Sequence, residues 1–273
     1  MAAPAIIVRA KFKARTVVWI QGLAGLIGFA ALLEIVPRSG LVSPLYLPPF
    51  STIMVALFKE LQSGEFWTAL GDTLEAWAIG LVISVIAGVV IGIAIGSSNV
   101  LRKLTHSTIE FLRPIPSVAL IPLAVLLFGS QIQSTLVLVV YASVWPVLIQ
   151  VLYGVQDVDP VARETARSYG LGPWAQIRYV TWPTALPYLM TGVRLAAAVA
   201  LILAITSEVA IDTQGLGKEI SDTEAGGAVA AMYAYVIVAG IIGVIVNLGA
   251  RALERRMMAW HPSMRLDNAE TRA

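Results

Sequence analysis

The sequence contains no cysteine and only two histidines, His106 and His261, among its 273 residues. The absence of cysteine excludes disulfide bonds, zinc ribbons, iron–sulfur clusters and thiol nucleophiles. The two histidines lie too far apart in the chain to form an HExxH metal-binding pair. Charged residues are also scarce, at 13%, which is about half of the share in a typical soluble domain.

Apolar side chains, in contrast, are abundant. They make up 58% of the residues, and the mean hydropathy is +0.79. A soluble globule of this size needs more charged residues to cover its surface. The composition therefore excludes an ordinary cytosolic enzyme, a disordered protein and a nucleic-acid-binding protein, and it predicts a protein that crosses a lipid bilayer several times.

Six stretches are apolar enough to cross a bilayer core of roughly 30 Å as helices, for which about 20 residues are needed. They cover residues 17–36, 76–95, 114–129, 131–155, 184–207 and 225–250. The third stretch is short and interrupted by prolines, so we expect it to begin earlier, near Ile109. The sequence thus predicts an all-α membrane protein with a six-span domain over residues 17–250.

The placement of Lys and Arg predicts the orientation of the spans, because cytoplasmic loops retain positive charge. Of the 19 such residues, all but three lie in the amino-terminal segment, in the loops after spans two and four, just inside span five, or in the tail. The exceptions are Arg38, Lys59 and Lys218, whose loops also carry acidic residues. We therefore expect both termini to be cytoplasmic, with residues 1–16 as a cytoplasmic segment and residues 251–273 as a cytoplasmic tail.

Residues 51–62 follow two prolines and carry an apolar stripe at helical spacing. This pattern predicts an amphipathic helix that lies on the outer membrane interface. Such a helix would act either as a packing strut or as a rim at the outer mouth of a pathway.

Span two contains a doubled GxxxG ridge formed by Gly88, Gly92 and Gly96. Small residues let helices approach closely in lipid. We therefore expect the ridge to pack against another helix, within or between subunits, in preference to contacting a ligand.

The longest predicted cytoplasmic connection covers residues 156–183 and carries signals for two short helices. Asp159 can cap the first helix, Pro160 suits its first position, and Gly170 suits its carboxyl end. A second helix is predicted from residue 174 to residue 180. A plain loop between spans needs only a few residues, so this two-helix excursion indicates that another protein docks there.

Nucleotide-binding motifs are missing from the sequence. The only Gly-Lys pair, Gly217–Lys218, lacks the upstream glycine of a Walker A motif. Residues 170–175 match GxGxxG/A in letters, but no predicted strand precedes them and Pro173 breaks the turn. We therefore expect no cofactor in this chain, no catalytic residue and no hydrolysis of nucleotide by the chain itself.

The predicted docking connection carries a recognisable pattern. Residues 164–170 read Glu-Thr-Ala-Arg-Ser-Tyr-Gly, and residues 180–183 read Val-Thr-Trp-Pro after a gap of nine. This resembles the EAA loop of ABC importer permeases, whose pattern is EAA, three residues, Gly, nine residues and Ile-x-Leu-Pro. The chain departs from it with Thr for the first Ala, Val for Ile and Trp for Leu.

The resemblance extends over roughly residues 47–261 and is greatest to the nitrate, sulfonate, taurine and bicarbonate group of binding-protein-dependent permeases. Further matching stretches are Leu-Pro-Pro at 47–49, Arg-Pro-Ile-Pro at 113–116 and Thr-Gly-Val-Arg at 191–194. It implies a type I, MetI-like importer fold in the bacterial cytoplasmic (inner) membrane. It also implies a homodimer of permeases, two ABC subunits that hold ATP and Mg²⁺, and an external solute-binding protein.

The function that the resemblance implies is to form the translocation pathway for a small anionic solute, such as a sulfonate or nitrate, driven by a separate ATPase. The chain would then be a transport subunit and not an enzyme. The pattern assigns contacts with the ATPase to Glu164, Thr165, Ala166, Gly170 and Pro183. From the residues alone, Glu164 could equally well pair with Arg167 on a solvated face.

Three charged residues at or in the spans are candidates for the pathway or its gate, because burying ionisable groups in lipid is costly. Arg194, near the cytoplasmic end of span five, could attract an anionic solute or snorkel to the interface. Glu208, near the outer end of the same span, could hold a contact between helices or form the outer gate. Arg113 precedes span three, where a structural contact is its default interpretation.

Two other hypotheses compete with the importer permease. A proton-coupled secondary transporter would use Glu75 or Glu208, and would show internal repeats and broken helices near the midplane. An integral-membrane enzyme would need a catalytic cluster at one membrane face. Neither a convincing repeat nor such a cluster is present in the sequence, so the importer permease is preferred.

Overall fold

A computed structural model of the chain describes the backbone of residues 4–258 and the side chains of residues 20–258. The regular elements in that part are helical: α1 (Pro4–Arg38), α2 (Phe50–Glu60), α3 (Gly64–Gly96), α4 (Asn99–Leu112), a 3-10 turn (Ser117–Leu120), α5 (Ile121–Phe128), α6 (Ile132–Gln156), α7 (Pro160–Ser168), α8 (Pro173–Gln176), a π turn (Ile177–Thr181), α9 (Trp182–Ile211), α10 (Leu216–Ala225) and α11 (Val229–Met257). Residues 1–3 of the predicted amino-terminal segment and residues 259–273 of the predicted tail lie outside the described residues.

In the part of the chain that the structure describes, five helical segments are long and apolar enough to cross a membrane. They are Ile20–Arg38, Gly64–Gly96, Ile132–Gln156, Pro173–Ile211 and Val229–Met257. A sixth crossing exists if α4 and the segment Ser117–Phe128 count as one span, although their axes are bent by 83°. Ile109, near which the third span is expected to begin, lies in α4, before the bend that follows Leu112. It belongs to a membrane crossing if the two bent segments count as one span.

Helix α6 lies at the centre of the bundle and packs against both α3 and α9. Its apolar side chains at four-residue spacing are almost completely buried. On the α9 side the backbones come close, since a Cβ on Gly154 would lie 2.7 Å from the Cα of Ala185. The core of the chain is therefore a three-helix layer, with the other helices packed around it.

The predicted glycine ridge of α3 faces α6. A Cβ on Gly88 would lie 2.7 Å from the Cβ of Val147, a separation too short for two carbon atoms. Gly80 belongs to the same ridge, although the sequence pattern did not include it. Each of the four glycines is opposed by one valine: Gly80 by Val139, Gly88 by Val147, Gly92 by Val151 and Gly96 by Val155. This close approach of two helices is the arrangement that small residues permit in membrane proteins.

Helix α2 corresponds to the amphipathic helix predicted over residues 51–62, although its bounds differ slightly. Its Ile53 side chain is buried, and the helix packs against α11 and α1. The Ser51 backbone N–H donates to the Glu34 carboxylate at 2.8 Å, and Arg38 pairs with the same carboxylate at 2.6 Å. These contacts are those of a packing strut between α1 and α11.

The connection after α6 contains one separate helix. The Asp159 carboxylate caps α7 by accepting from the Val161 N–H at 2.8 Å. Gly170, with φ 77°, ends it in the left-handed conformation that glycine tolerates. The expected second helix at 174–180 is not separate, because helical backbone runs from Pro173 without a break into α9. The connection is therefore one short capped helix followed by the start of the fifth long helix.

The bundle has two ends, which we name by their short helices. At the α7 end, α3 and α6 terminate and α9 begins. At the α10 end, α9 terminates and α10 connects it to α11. The candidate residues fall into one group at each end.

Candidate functional site

One face of α7 is exposed. Glu164 and Thr165 lie on this face together with Val161, whose side chain is 68% exposed. Among the described residues, Glu164 forms no ion pair, so it does not pair with Arg167. An exposed apolar and acidic face on a short helix is available to a partner protein.

The opposite face of α7 is fixed to the bundle. Ala166 is buried, whereas its neighbours Thr165 and Tyr169 are exposed. Arg163 donates to the carbonyl oxygen of Val155 at 3.3 Å, which ties α7 to the last turn of α6.

A second link joins the same connection to α9. The Tyr188 hydroxyl donates to the Asp157 carboxylate at 2.9 Å. Asp157 immediately follows α6 and Tyr188 lies in the second turn of α9. The segment that holds α7 is therefore attached to both of the central helices.

Pro183 is half-buried in the first turn of α9, beside the π turn that contacts α7. The neighbouring Trp182, which departs from the family pattern, packs against the buried cluster that includes Val151 and Val155. Pro183 and Glu164 thus lie on neighbouring elements, but the exposed face of α7 does not include Pro183.

Glu208 is completely buried at the α10 end. Its Oε2 accepts from the Thr73 hydroxyl and from the Gly217 backbone N–H, each at 2.9 Å. Gly217 lies in the first turn of α10, where unpaired N–H groups favour a carboxylate. Glu208 therefore connects α9 to α3 and to the start of α10.

The loop around Glu208 is packed too closely for larger residues. A Cβ on Gly215 would lie 2.3 Å from the Glu208 Cδ, and Gly215 has φ 145°. The Thr135 and Thr213 hydroxyls lie 3.0 Å apart, which joins α6 to the same loop. The interpretation of Glu208 as a contact between helices agrees with this geometry.

Charged residues surround the exposed rim of the same end. Lys218 contacts Asp212 at 2.5 Å and Asp222 at 3.3 Å. The hydrogen bond to Asp212 raises the pKa of Lys218 above its ordinary value. Burial raises the pKa of Glu219, and the negative charge of Asp222 raises it further.

Arg194 lies near the α7 end of α9 and pairs with Glu254 of α11 at 3.3 Å. The pair links two long helices, and this position does not present Arg194 as an unpaired cation to a solute. The sequence interpretation considered a solute contact or snorkelling and did not include Glu254, which is 60 residues away in the chain.

Arg113 is exposed at the carboxyl end of α4 and lines an open cavity between α4 and α6. The preceding carbonyl, that of Leu112, accepts from the Tyr141 hydroxyl at 2.7 Å. The structure therefore separates the three charged candidates, since Arg113, Arg194 and Glu208 occupy different places.

Within residues 20–258, no group of three or more acidic or histidine side chains could hold a metal ion.

Several residues of these sites were not found from the sequence. Thr73 and Gly217 contact Glu208, and Tyr188 contacts Asp157. The one available signal was the pair of glycines, Gly215 and Gly217, that follow Glu208, because glycine permits close approach of the backbone.

Residues 84–259 match the family of inner membrane components of binding-protein-dependent transport systems. The chain belongs to this family. It is 32% identical over 226 residues to the taurine transport system permease protein of Escherichia coli (strain K12), covering 81% of this chain and 82% of the relative. It is 28% identical over 245 residues to a putative aliphatic sulfonates transport permease protein of Bacillus subtilis (strain 168), covering 90% and 89%.

The fold matches that of a solved ABC importer. The chain superimposes with a TM-score of 0.62 on a chain from the inward-facing MetNI methionine ABC transporter, at 16% identity, covering 70% of this chain and 95% of that one. The predicted type I, MetI-like permease fold is confirmed. The chain is a multi-pass ABC permease, a transport component and not an enzyme. Family membership also decides against the proton-coupled secondary transporter.

Proposed function

We propose that this permease forms the translocation pathway of an ATP-driven importer and that α7 docks onto the ATPase. The observation that carries the proposal is α7 itself. It is short, capped at both ends, exposed on the face that bears Glu164 and Thr165, and anchored on the other side. In this arrangement the α7 end faces the cytoplasm of a bacterium and the α10 end faces outward, as the distribution of Lys and Arg indicates.

The anchoring of α7 explains how a force on it would reach the pathway. Arg163 connects α7 to α6, and Asp157 connects the same segment to Tyr188 of α9. A rigid helix in a segment that is attached at these two points transmits a displacement to both central helices, whereas a flexible loop would bend. ATP-driven closure of the ATPase would therefore move α6 and α9 relative to α3.

The assembly that we propose contains two copies of this chain, two ATP-binding subunits and an external solute-binding protein. ATP and Mg²⁺ would be bound by the ATPase, and no cofactor by this chain. Apolar side chains of α5 are strongly exposed, including Leu126 at 81% and Leu127 at 61%. Exposed leucines of this kind suit contact with lipid or with the second copy.

The solute that we propose is a small anion of the sulfonate or nitrate type. Two relatives that match over most of this chain are named for taurine and for aliphatic sulfonates. Both solute classes carry a sulfonate group.

Purification in mild detergent tests the proposal. We expect the tagged chain to recover a Walker A/B ATPase in equal numbers, identified by mass spectrometry. Glu164→Ala should remain folded but recover less ATPase and support less solute uptake. Glu224→Ala, which removes an exposed acid from α10 at the opposite end, should recover the wild-type amount of ATPase.

Two results would contradict the proposal. Recovery of the chain without any ATPase, under several detergents and with crosslinking, would remove the proposed partner. Normal recovery of the ATPase together with normal uptake in Glu164→Ala would remove Glu164 from the docking contacts.

A further inference from the structure

A cavity of about 890 Å³ opens between α4 and α6 at the α7 end of the bundle. Arg102 and Lys103 of α4 line it together with Arg113, the residue that follows α4, and α6 lines it with apolar and polar residues from Ile149 to Gln156. None of the coupling contacts described above borders this cavity. We call it the α4–α6 vestibule.

Helix α4 is amphipathic, but its apolar face points outward and its charged face points toward the bundle, the reverse of a surface helix in a soluble protein. Its apolar residues Val100, Leu104 and Phe111 point away from the bundle and are 66%, 71% and 72% exposed. Its charged residues line the vestibule. In a membrane protein, a helix with this arrangement separates lipid from a water-filled space.

Arg113 lies far from the end of α6, although the α6 residues that line the vestibule run only from Ile149 to Gln156. The Tyr141 hydroxyl holds the last carbonyl of α4, that of Leu112, and Tyr141 lies roughly 22 Å from Gln156 along the helix at 1.5 Å per residue. The bilayer core is roughly 30 Å thick. Arg113, the next residue after Leu112, therefore lies within the depth of the membrane while its side chain borders the vestibule.

The charges around the vestibule are mostly positive. Among the described residues, Arg102, Lys103 and Arg113 take part in no ion pair. Glu110 supplies the one carboxylate among the described residues of the lining, and it lies 3.4 Å from His106. Unpaired cations around a concave surface with low-dielectric walls concentrate anions there.

We propose that the α4–α6 vestibule binds an oxyanion group, with Arg113 as its innermost ligand and Arg102 and Lys103 at its mouth. Sulfonate, sulfate and phosphate-ester groups share the required chemistry, because a guanidinium can donate two parallel hydrogen bonds to two oxygens of one anion. If the bound group is part of the transported solute, this inference rests on the proposed function. The vestibule is then the last binding site for the solute before its release into the cytoplasm. The phosphate of an anionic lipid is the other source of the same group.

The absence of cysteine allows a direct test in the full chain, purified with the subunits that accompany it. Tyr153→Cys places one thiol in the vestibule lining. In phosphatidylcholine nanodiscs, we expect an anionic methanethiosulfonate reagent to modify this chain about tenfold faster than a cationic one of similar size. Methanesulfonate should slow the reaction, and dimethyl sulfone, its neutral isostere, should not.

Variants at Arg113 show whether this residue is the ligand. Arg113→Gln should reduce the preference for the anionic reagent and abolish protection by methanesulfonate, while Arg113→Lys should keep the preference. Arg251→Gln removes an exposed cation of α11 outside the vestibule and should keep both properties. Equal rates for the two reagents, or a wild-type response in Arg113→Gln, would overturn the proposal.

The lipid composition distinguishes the two sources of the oxyanion. If the anionic reagent modifies the Tyr153→Cys thiol more slowly in phosphatidylglycerol nanodiscs than in phosphatidylcholine nanodiscs, with no methanesulfonate present, the oxyanion site is supported and its occupant is the lipid phosphate. If methanesulfonate protects the thiol in both lipids, the oxyanion site is supported and its occupant is the solute. The rates of thiol modification can be measured without bound ATPase and without solute uptake. A negative result for the vestibule therefore leaves the ATPase-recovery test of the proposed function unaffected, and the two proposals fail independently.

Discussion

The hydroxyl of Thr73 donates to the carboxylate of Glu208 at 2.9 Å, across 135 residues of sequence. The same hydroxyl oxygen accepts from the Leu216 backbone N–H at 2.8 Å. One threonine thereby joins α3, α9 and the first turn of α10. Both side chains are completely buried, so neither hydrogen bond can be replaced by exposed water without opening the packing.

Replacing Thr73 with valine should destabilise the protein. The change keeps the shape of the side chain but leaves the Leu216 N–H unpaired and removes one donor from Glu208, which costs about 1–3 kcal/mol. The midpoint of thermal unfolding in detergent should fall accordingly. Thr68→Val is the matched control, because the exposed Thr68 hydroxyl bonds only to the Gly64 carbonyl within the same helix. Equal midpoints for the two variants would contradict this role of Thr73.

The ridge between α3 and α6 makes a second prediction, at Gly80. A Cβ there would lie 2.5 Å from Val139 Cγ1 and 3.1 Å from its Cβ, so Gly80→Ala should cost about 1–3 kcal/mol by overpacking. Val139→Ala removes the closer atom, and the double variant should therefore recover part of the loss. Thermal unfolding of both variants measures this recovery.

Gly240→Ala is the control for the ridge, since nothing lies within 4 Å of the added atom and alanine favours helix by about 1 kcal/mol over glycine. It should leave stability unchanged or increase it. A fall equal to that of Gly80→Ala would show that the cost does not come from the contact with Val139.

The sequence predicted those features of the fold that depend on local spacing. The four-residue interval of Gly88, Gly92 and Gly96 indicated close helix packing, and Asp159 and Gly170 indicated the two ends of α7. These signals are local because a ridge or a cap is formed by residues close together in the chain. The bend between α4 and α5 was missed because an interrupted apolar run can form either one kinked helix or two helices, and tertiary contacts decide between them.

The candidate sites were less predictable because their contacts join distant parts of the chain. Arg194 pairs with Glu254 and Glu208 with Thr73, at separations of 60 and 135 residues. No periodicity connects such positions. An ionisable residue in a span indicates that a partner is needed, but it does not identify the partner.

The link between the docking connection and α9 should matter for coupling and not for docking. Tyr188→Phe removes only the hydroxyl that donates to Asp157 and leaves the exposed face of α7 intact. We expect the ATPase to co-purify in normal amounts, while uptake per ATP hydrolysed decreases. This pattern is opposite to that of Glu164→Ala, which should lose the ATPase first. Normal coupling in Tyr188→Phe would show that Arg163 alone transmits the displacement.

Glu219 in α10 should make stability depend on pH. Burial comes first among the causes that raise its pKa above the ordinary 4.5, followed by the negative charges of Asp222, Glu65 and Glu60. The folded protein therefore holds this proton more tightly than the unfolded chain, and stability decreases as the pH rises above 4.5. Glu219→Gln removes the titrating group and should unfold at a higher temperature than wild type at pH 7.

The advantage of Glu219→Gln should vanish as the pH falls below 4.5, because the wild-type carboxyl is then protonated in both the folded and the unfolded states. Unfolding midpoints in detergent between pH 4 and pH 7 measure the difference. Glu224→Gln, at an exposed position of the same helix, makes the same change in net charge and controls for it. If the difference in unfolding midpoint between wild type and Glu219→Gln stays constant with pH, the effect comes from packing. Only a titrating carboxyl makes this difference grow as the wild-type Glu219 loses its proton.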